Sequence, residues 1–269
     1  MKNIGFIGSG NMAEALIKGV IEANVYKPEN VFISDIVVER LEFLAGKYGV
    51  IPCQDNKELV SQVESLVLSV KPQKMSEVLE SIKNAADSVK LVISIAAGIK
   101  VEKIESVLGN VAIVRVMPNT PALIGQGAAA LFANEPAKPL LEKAMSIFSS
   151  VGKAVVVEDE GQIDTVTALS GSGPAYYFLL MEEMIKTGIK LGLPEHIAKD
   201  LVLQTAKGAG LLACEADKND ESPAILRKKV TSPGGTTEAA VKVFTDGNLG
   251  SLVSAAITRA YQRSQELSG

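Results

Sequence analysis

Residues 2–13 read KNIGFIGSGNMA, in which a short apolar strand pattern leads directly into a G-x-G-x-x-A turn and a helix. In such a segment Gly8 makes the tight turn, Gly10 lets a pyrophosphate approach the backbone, and Ala13 allows the helix to pack closely on the sheet. The phosphates then lie at the helix N-terminus, where unpaired N–H groups and the helix dipole favour anions. The segment therefore predicts a dinucleotide-binding unit with cofactor contacts at Gly8, Ser9, Gly10, Asn11 and Met12.

A second predicted strand, residues 30–35, ends at Asp35. An acid at this position accepts hydrogen bonds from the adenosine ribose hydroxyls and repels a 2′-phosphate. The expected cofactor is therefore NAD(P)H, with NADH favoured by Asp35 and NADPH still possible because Ser34 and Arg40 lie nearby in the sequence. The alternative is that Asp35 only caps a helix that begins near Ile36.

Strand and helix patterns alternate through the first half of the chain. Short runs rich in β-branched residues, typical of strands buried on both faces, occupy residues 65–70, 90–95 and 111–116. Two more extended stretches lie near residues 127–132 and 153–157. Helical patterns separate the strands, for example at residues 73–86, 101–108 and 136–150. This order predicts an α/β fold in which residues 1–160 form a doubly wound (Rossmann) parallel sheet with helices on both faces.

Ligands of such sheets bind beyond the carboxyl ends of the strands. The third and fourth predicted strands are followed by residues that we expect to surround the nicotinamide half of the cofactor, namely Val70, Lys71, Pro72, Ala96 and Ala97. After the fifth strand, Pro118 and Pro121 hold Asn119 on a rigid loop, where its polar side chain would face the reacting ring. The alternative is that these residues only end the strands and form ordinary loops, without contacting a ligand.

From residue 161 onward no strand pattern is convincing, and helical patterns cover residues 161–169, 175–191, 194–213, 238–245 and 249–266. The helix at residues 175–191 is apolar almost all round, so it must be covered on every side. A domain of roughly a hundred residues cannot easily provide that cover alone. Residues 161–269 are therefore predicted to be an all-α domain that forms an interlocked dimer.

The turn at residues 230–237, VTSPGGTT, places hydroxyls and glycines directly before a helix. Backbone N–H and side-chain O–H donors at such a turn suit a small carboxylate. The alternative is an ordinary serine or threonine N-cap. The dinucleotide motif at the other end of the chain favours a substrate site, because a bound cofactor needs a substrate to react with.

Composition narrows the classes of partner. The net charge of −4 argues against a nucleic-acid partner, and the basic cluster at residues 227–229 is too short to change that. No apolar run approaches the length of a membrane span. The first predicted strand begins at residue 2, so we expect no signal peptide and a cytoplasmic location. Cys53 and Cys214 fit no metal or redox spacing, so no metal site is predicted.

The chain resembles the pyrroline-5-carboxylate reductase family from end to end. The resemblance is carried by FIGSGNM at residues 6–12, VKP at 70–72, AAG at 96–98, MPNTP at 117–121, LSGSGPAY at 169–176 and SPGGTT at 232–237. The first motif is shared with many dehydrogenases, whereas the last two are highly specific in this order and spacing. The resemblance implies an N-terminal Rossmann domain, a helical dimerisation domain and a higher assembly, commonly a decamer of five dimers in a ring.

The activity implied by the resemblance is reduction of the C=N bond of 1-pyrroline-5-carboxylate by NAD(P)H to L-proline, the last step of proline biosynthesis. Residues at matching positions would bind the substrate, namely Ser232, Gly235, Thr236 and Thr237, with the Thr237 hydroxyl as the catalytic group at the ring nitrogen. Ser170 and Gly171 would support the substrate from the dimer interface, and Asn56 would lie near the adenosine ribose. The chain departs from the family at Lys228 and Lys229, where an acid and an amide are common, which bears on cofactor contacts but not on the chemistry.

Two other functions are compatible with these patterns. One is a different reductase on the same scaffold, either another imine reductase or a hydroxyacid dehydrogenase, which usually brings a lysine or histidine base on the helical domain. Lys186 and Lys190 are available there, but neither lies in a glycine-rich context. The other is a nonenzymatic dinucleotide-sensing module, which would bind the cofactor without turnover.

Overall fold

The computed structural model describes residues 2–268, and the first half of the chain is built around one eight-stranded sheet. The strands are β1 Ile4–Ile7, β2 Val31–Ser34, β3 Ile51–Pro52, β4 Ser65–Leu68, β5 Leu91–Ser94, β6 Ile113–Met117, β7 Gly127–Ala133 and β8 Gly152–Val156. Their spatial order is β3-β2-β1-β4-β5-β6-β7-β8. Because β1 lies between β2 and β4, the direction of winding changes beside β1, where open α/β sheets bind ligands.

Helices cover both faces of this sheet, as the sequence predicts. They are α1 Asn11–Glu22, α2 Val38–Tyr48, α3 Asn56–Gln62, α4 Met75–Ile82, α5 Val101–Leu108, α6 Leu141–Ser149 and α7 Gln162–Val166. Leu66 and Val67 are adjacent in β4 and are both fully buried, in two separate apolar clusters. Alternate side chains of a strand point to opposite faces, so the two clusters are the two sides of a doubly wound sheet.

Two strands depart from the predicted parallel sheet, because β7 and β8 run opposite to the other six. All neighbouring strands are parallel except β6 and β7, which pair antiparallel through Val114↔Ala133 and Met117↔Ala130. A parallel pair needs a crossover of about a dozen residues or more, usually a helix. Residues 118–126 hold only a short 3-10 turn, Thr120–Ile124, so the chain turns back on itself.

Two predicted helices are shorter in the structure than in the sequence pattern. The patterns at residues 73–86 and 136–150 correspond to α4 and α6, which are preceded by 3-10 turns at Pro72–Lys74 and Glu135–Leu140. Pro136 and Pro139 lie within the second of these turns and have no N–H to donate, so α6 begins only after them. The first pattern is shorter mainly at its C-terminal end, because α4 ends at Ile82 ahead of another 3-10 turn, Ala86–Ser88.

Beyond β8, the residues up to 268 form only helices and turns. The helices are α8 Gly173–Lys190, α9 Glu195–Asp217, α10 Pro223–Lys229, α11 Thr236–Asp246 and α12 Leu249–Ser268. A π-helical turn, Thr167–Gly171, separates α7 from α8. None of the helices among the described residues is long and apolar enough to cross a membrane.

The chain divides into two compact units. The first comprises Met1–Pro174 together with Arg259–Gly269, and the second comprises Ala175–Thr258. The last turns of α12 therefore belong to the sheet-containing unit, although the helix begins in the other.

The second unit exposes many large apolar side chains. On α8, Tyr177, Phe178 and Leu179 are 66%, 60% and 59% exposed, and α9 adds Leu201, Leu211 and Leu212. Exposed apolar surface on this scale marks an interaction surface rather than a solvent-facing one.

Candidate active site

The turn between β1 and α1 requires a glycine at residue 8. Gly8 has φ +91°, and a Cβ there would lie 2.8 Å from the Ser69 carbonyl oxygen. The Gly8 N–H donates to the Ser34 carbonyl at 2.8 Å, and the Ser69 hydroxyl donates to the Gly8 carbonyl at 2.5 Å. The turn is thus bound to the ends of β2 and β4 at once.

Gly10 and Ser9 fit a bound pyrophosphate. Gly10 is the N-cap of α1 and offers no side chain to its free N–H groups, and a Cβ built there would meet no described atom within 4 Å. The glycine is therefore not required by packing of the chain itself, which leaves room for a ligand against the backbone. The Ser9 hydroxyl is buried and has no hydrogen-bond partner within the described residues. Both features suit an anion at the helix N-terminus.

Asp35 joins the end of β2 to this turn. Its Oδ2 accepts from the Ser9 N–H at 2.6 Å and its Oδ1 accepts from the Val37 N–H at 3.0 Å. Val37 is the N-cap of α2 and its own side chain makes no cap hydrogen bond, so Asp35 bonds to the residue before the helix and not to the N–H groups of its first turn. Each carboxylate oxygen retains lone pairs that could accept from ribose hydroxyls.

Asn56 and Ser34 form a hydrogen-bonded row beside Asp35. The Ser34 hydroxyl donates to Asn56 Oδ1 at 2.9 Å, and Asn56 Nδ2 donates to the Ser81 hydroxyl at 3.2 Å. Asn56 is the first residue of α3, whose N-cap Asp55 accepts from the Glu58 N–H at 2.8 Å. The row fixes the rim of the predicted ribose site.

The predicted nicotinamide contacts follow strands that end at the same edge of the sheet. Residues 70–72 follow β4, residues 96–97 follow β5 and Asn119 follows β6, and these three strands are mutually parallel. Asn119 Oδ1 accepts from the Ala128 N–H at 2.8 Å and its Nδ2 donates to the Ser170 carbonyl at 3.0 Å. The amide therefore holds the loop after β6 against the π-helical turn.

The π-helical turn carries Ser170 and Gly171, two of the predicted substrate contacts. A Cβ at Gly171 would lie 2.5 Å from Met117 Cε, at the end of β6. The Ser170 hydroxyl donates to the Val166 carbonyl at 3.1 Å. Single π-helical turns within helices are frequent at functional sites. The structure thus brings Ser170 and Gly171 together with the predicted cofactor residue Asn119.

The turn at residues 230–237 lies in the second unit, and three of its four hydroxyls donate to no group among the described residues. Gly235, rather than serine or threonine, is the N-cap of α11, and it receives no side-chain cap. Gly234 has φ +70° and its N–H donates to Glu238 Oε2 at 2.7 Å. Within residues 2–268 the hydroxyls of Ser232, Thr236 and Thr237 bond to no other group. Ordinary helix capping therefore does not account for these hydroxyls.

Sequence patterns did not reveal a charged cluster beside the glycine turn. Arg40 Nε donates to the Ser9 carbonyl at 2.6 Å, and its Nη2 donates to Glu14 Oε2. Glu14 Oε1 accepts from Lys47 Nζ and from the Tyr48 hydroxyl, both at 3.0 Å. Burial raises the pKa of Glu14, but the hydrogen bonds from Arg40, Lys47 and Tyr48 outweigh it and lower the pKa to about 2. Glu14 is therefore a permanent anion at neutral pH.

The end of α12 packs on the loop after β5, which sequence patterns also did not reveal. A Cβ at Gly98, where φ is +71°, would lie 2.9 Å from the Leu267 carbonyl oxygen. The buried Ser264 hydroxyl donates to Asp164 Oδ1 at 2.6 Å, and the Ser268 hydroxyl donates to the same atom at 3.4 Å. The C-terminal turns thus support residues 96–98.

No group of three metal-ligating side chains occurs in the described part of the chain.

Comparison with protein families gives two matches. The family described as pyrroline-5-carboxylate reductase dimerisation matches residues 160–267. The family described as NADP oxidoreductase, coenzyme F420-dependent, matches residues 3–98. Among curated proteins, the pyrroline-5-carboxylate reductase of Pseudomonas aeruginosa is 45% identical over 266 residues, which cover 98% of this chain and 96% of that protein. The enzyme of the same name from Synechocystis is 43% identical over 265 residues, which cover 98% and 97%.

Solved structures give the same result. A pyrroline-5-carboxylate reductase from Coxiella burnetii matches with a TM-score of 0.93 and 43% identity, covering 100% of this chain and 99% of that one. The pyrroline carboxylate reductase of Plasmodium falciparum, solved with NADP bound, matches with a TM-score of 0.87 and 32% identity, covering 99% and 98%. The similarity thus extends over the sheet-containing and the helical parts of the chain.

Two glycine substitutions should separate folding from cofactor binding. Gly8→Ala should destabilise the fold by roughly 1–3 kcal/mol, because alanine resists a positive φ and its Cβ collides with the Ser69 carbonyl. Gly10→Ala should cost less than about 1 kcal/mol, the usual scale for an N-cap change, but should weaken NADH binding by about tenfold or more through contact with the pyrophosphate. Thermal unfolding and fluorescence titration with NADH measure the two effects. Equal losses of stability in both variants would contradict this division of roles.

Proposed function

The chain belongs to the pyrroline-5-carboxylate reductase family, and we propose that it carries out the family's reaction with Thr237 at the substrate ring nitrogen and residues 8–12 around the cofactor phosphates. The reaction is the reduction of 1-pyrroline-5-carboxylate to L-proline, the last step of proline biosynthesis. The assignment of residues rests on the turn at 232–237, because the hydroxyls of Ser232, Thr236 and Thr237 do not cap α11 and remain available to a ligand.

The substrate is a cyclic imine with a carboxylate, and each part calls for a different donor. We assign the carboxylate to the N–H groups at the start of α11 and to the hydroxyls of Ser232 and Thr236, because a helix N-terminus favours an anion. We assign the ring nitrogen to the Thr237 hydroxyl. Ser170 and Gly171, on the π-helical turn, complete the proposed substrate contacts.

The chemistry requires little acid catalysis from the protein. A cyclic imine is protonated more readily than a ketone, and its iminium form accepts a hydride directly. NAD(P)H supplies that hydride. The chain's own residues must fix the face of the ring that is presented and its distance from the cofactor, roughly 3–3.5 Å at the reacting atoms. Thr237 therefore orients the ring nitrogen and donates in part, rather than acting as a full general acid.

The remaining proposed contacts belong to the cofactor. We assign the pyrophosphate to Gly8, Ser9, Gly10, Asn11 and Met12, and the nicotinamide half to Val70, Lys71, Pro72, Ala96, Ala97 and Asn119. We assign the adenosine ribose to Asp35, with Ser34 and Asn56 beside it. The buried, unpartnered Ser9 hydroxyl and the open space at Gly10 support the first assignment. A reaction that consumes NAD(P)H suits the cytoplasm, where we propose that the enzyme works.

Removing the Thr237 hydroxyl should slow the reaction. Thr237→Ala should lower kcat/KM for pyrroline-5-carboxylate by ~10–100-fold, the loss of about one or two hydrogen bonds in the transition state. Thr237→Ser keeps the hydroxyl and should retain most of the activity. Thr245→Ala is a control on the same helix, since that hydroxyl only donates to the Val241 carbonyl. Steady-state NADH oxidation measures all three variants.

Unchanged kinetics in Thr237→Ala would remove Thr237 from the mechanism. Faster turnover of 2-keto acids than of pyrroline-5-carboxylate by the native chain would indicate a hydroxyacid dehydrogenase instead.

Asp35 should make NADH the better cofactor. We propose this preference because the carboxylate repels a 2′-phosphate. Asp35→Ser should raise the ratio of kcat/KM for NADPH to that for NADH by about tenfold, the effect of removing one close like charge. A ratio equal to that of the native enzyme would show that Asp35 does not read the ribose.

We further propose that residues 161–269 form the dimerisation domain and that five dimers assemble into a decamer. The match of the dimerisation family to residues 160–267 and the exposed apolar face of α8 support self-association. Phe178→Asp should lower the mass in sedimentation equilibrium, because it places a charge on that face. Val38→Asp is the matched control: Val38 is also 60% exposed but lies on α2, and the mass should not change. A smaller mass for Val38→Asp alone would place the interface on the other unit.

A further inference from the structure

The charged cluster formed by Glu14, Arg40 and Lys47 lies directly beside the proposed ribose site. The link is the peptide of Ser9, whose N–H donates to Asp35 Oδ2 and whose carbonyl accepts from Arg40 Nε, both at 2.6 Å. Ser9 therefore bonds through its N–H to the carboxylate of Asp35, which we assign to the ribose, and through its carbonyl to the guanidinium of Arg40.

Helix periodicity brings the cluster together. Arg40 and Lys47 lie seven positions apart on α2, and so share one face of the helix. Phe43 lies between them, with Arg40 Cζ 5.2 Å and Lys47 Nζ 5.0 Å from its ring centre. Glu14 lies in the first turn of α1, the helix whose N-terminus receives the phosphates. The carboxylate thus bridges the phosphate-binding helix and the cationic face of α2.

Arg40 has unused donors for a phosphate. A guanidinium carries five N–H groups in a planar fork that suits phosphate oxygens. One donates to Ser9 and one to Glu14, and the side chain remains 25% exposed, so a ligand can reach the rest. An arginine near the end of the second strand accommodates a 2′-phosphate in NADP-binding sheets.

Glu14 restrains that capacity. It pairs with Arg40 and with Lys47 and stays ionised, so it cancels part of the positive potential that a 2′-phosphate would meet. It also fixes the Arg40 side chain along α1. Both effects act on NADPH and leave the contacts of NADH with Asp35 intact.

We propose that Glu14 is a specificity-determining residue, which disfavours the 2′-phosphate of NADPH by pairing with Arg40 and Lys47 while Asp35 reads the ribose. This inference rests on the proposed cofactor site at residues 8–12 and Asp35. It makes the cofactor preference a property of two carboxylates that act in different ways. Asp35 repels the phosphate directly, and Glu14 acts as a positioning residue through Arg40.

The test is a titration with adenosine nucleotides that needs no substrate. Glu14→Gln should increase the affinity for 2′,5′-ADP by about five- to tenfold, which is the scale for one removed charge in a partly exposed site. The affinity for 5′-AMP, which lacks the 2′-phosphate, should change much less. The gain should shrink at 1 M salt, where surface charges are screened within about 3 Å. The NADPH to NADH ratio of kcat/KM should rise in parallel with the 2′,5′-ADP affinity.

Three further variants assign the effect to Arg40. Glu22→Gln removes the same charge from the same helix but at an exposed pair with Lys18, and it should leave the 2′,5′-ADP affinity unchanged. Glu14→Gln combined with Arg40→Met should lose the gain. The single variant Arg40→Met, which does not depend on the folding of Glu14→Gln, should weaken 2′,5′-ADP binding relative to 5′-AMP by about tenfold.

Three results would overturn the inference. These are an unchanged or weaker 2′,5′-ADP affinity in folded Glu14→Gln, a gain that persists without Arg40, and equal losses for both nucleotides in Arg40→Met. Failure of the native chain to reduce pyrroline-5-carboxylate with either cofactor would instead refute the proposed function, because the titrations do not involve that substrate.

Discussion

The close approach of Gly8 to the carbonyl of Ser69 is the constraint from which the cofactor half of the molecule follows. β1 lies between β2 and β4, so the chain that leaves it is confined by a neighbour on each side. Only a residue without a Cβ, in a left-handed conformation, can turn there while bonding to the ends of both strands. This turn directs the N-terminus of α1 to the carboxyl edge of the sheet, where Asp35, residues 70–72, residues 96–97 and Asn119 also emerge. A shift of the turn would break its bonds to Ser34, Ser69 and Asp35 together.

Much of this arrangement could be predicted from local sequence. The glycine turn, the buried strands and the long helices each have a periodicity or a residue type that one segment supplies alone. The reversal of β7 could not be predicted in this way, because it depends on the length of a connection rather than on the residues of the strand. The Glu14–Arg40 pair joins residues 26 positions apart, and the Ser264–Asp164 bond joins residues 100 apart. Neither leaves a periodic signal, since any exposed helix carries glutamates, arginines and serines.

The buried charges show why a charged side chain need not mark chemistry. Arg115 lies in β6 with only 2% of its side chain exposed and pairs with Glu160 at 2.9 Å. The same Glu160 oxygen accepts from the Val101 N–H at 2.8 Å and so caps α5. The pair ties the start of α5 to β6 and to the segment after β8, which is a structural role. A lone arginine there would be an uncompensated buried cation, so the two residues are useful only together.

Perturbed pKa values often mark active sites, but the residues proposed to contact the substrate have no titratable side chain. Burial raises the pKa of the Cys53 thiol to about 11, which makes it less reactive, and the lowered pKa of Glu14 belongs to the rim of the proposed cofactor site. The turn at residues 230–237 contains no titratable side chain at all. That composition suits a reaction in which the substrate nitrogen carries its own proton and the cofactor supplies the hydride. The proposed site needs donors held in fixed directions, and the hydroxyls of Ser232, Thr236 and Thr237 would provide them without a change of charge. The proposed substrate contacts are therefore small residues, because reduction of an imine requires orientation more than acid or base strength.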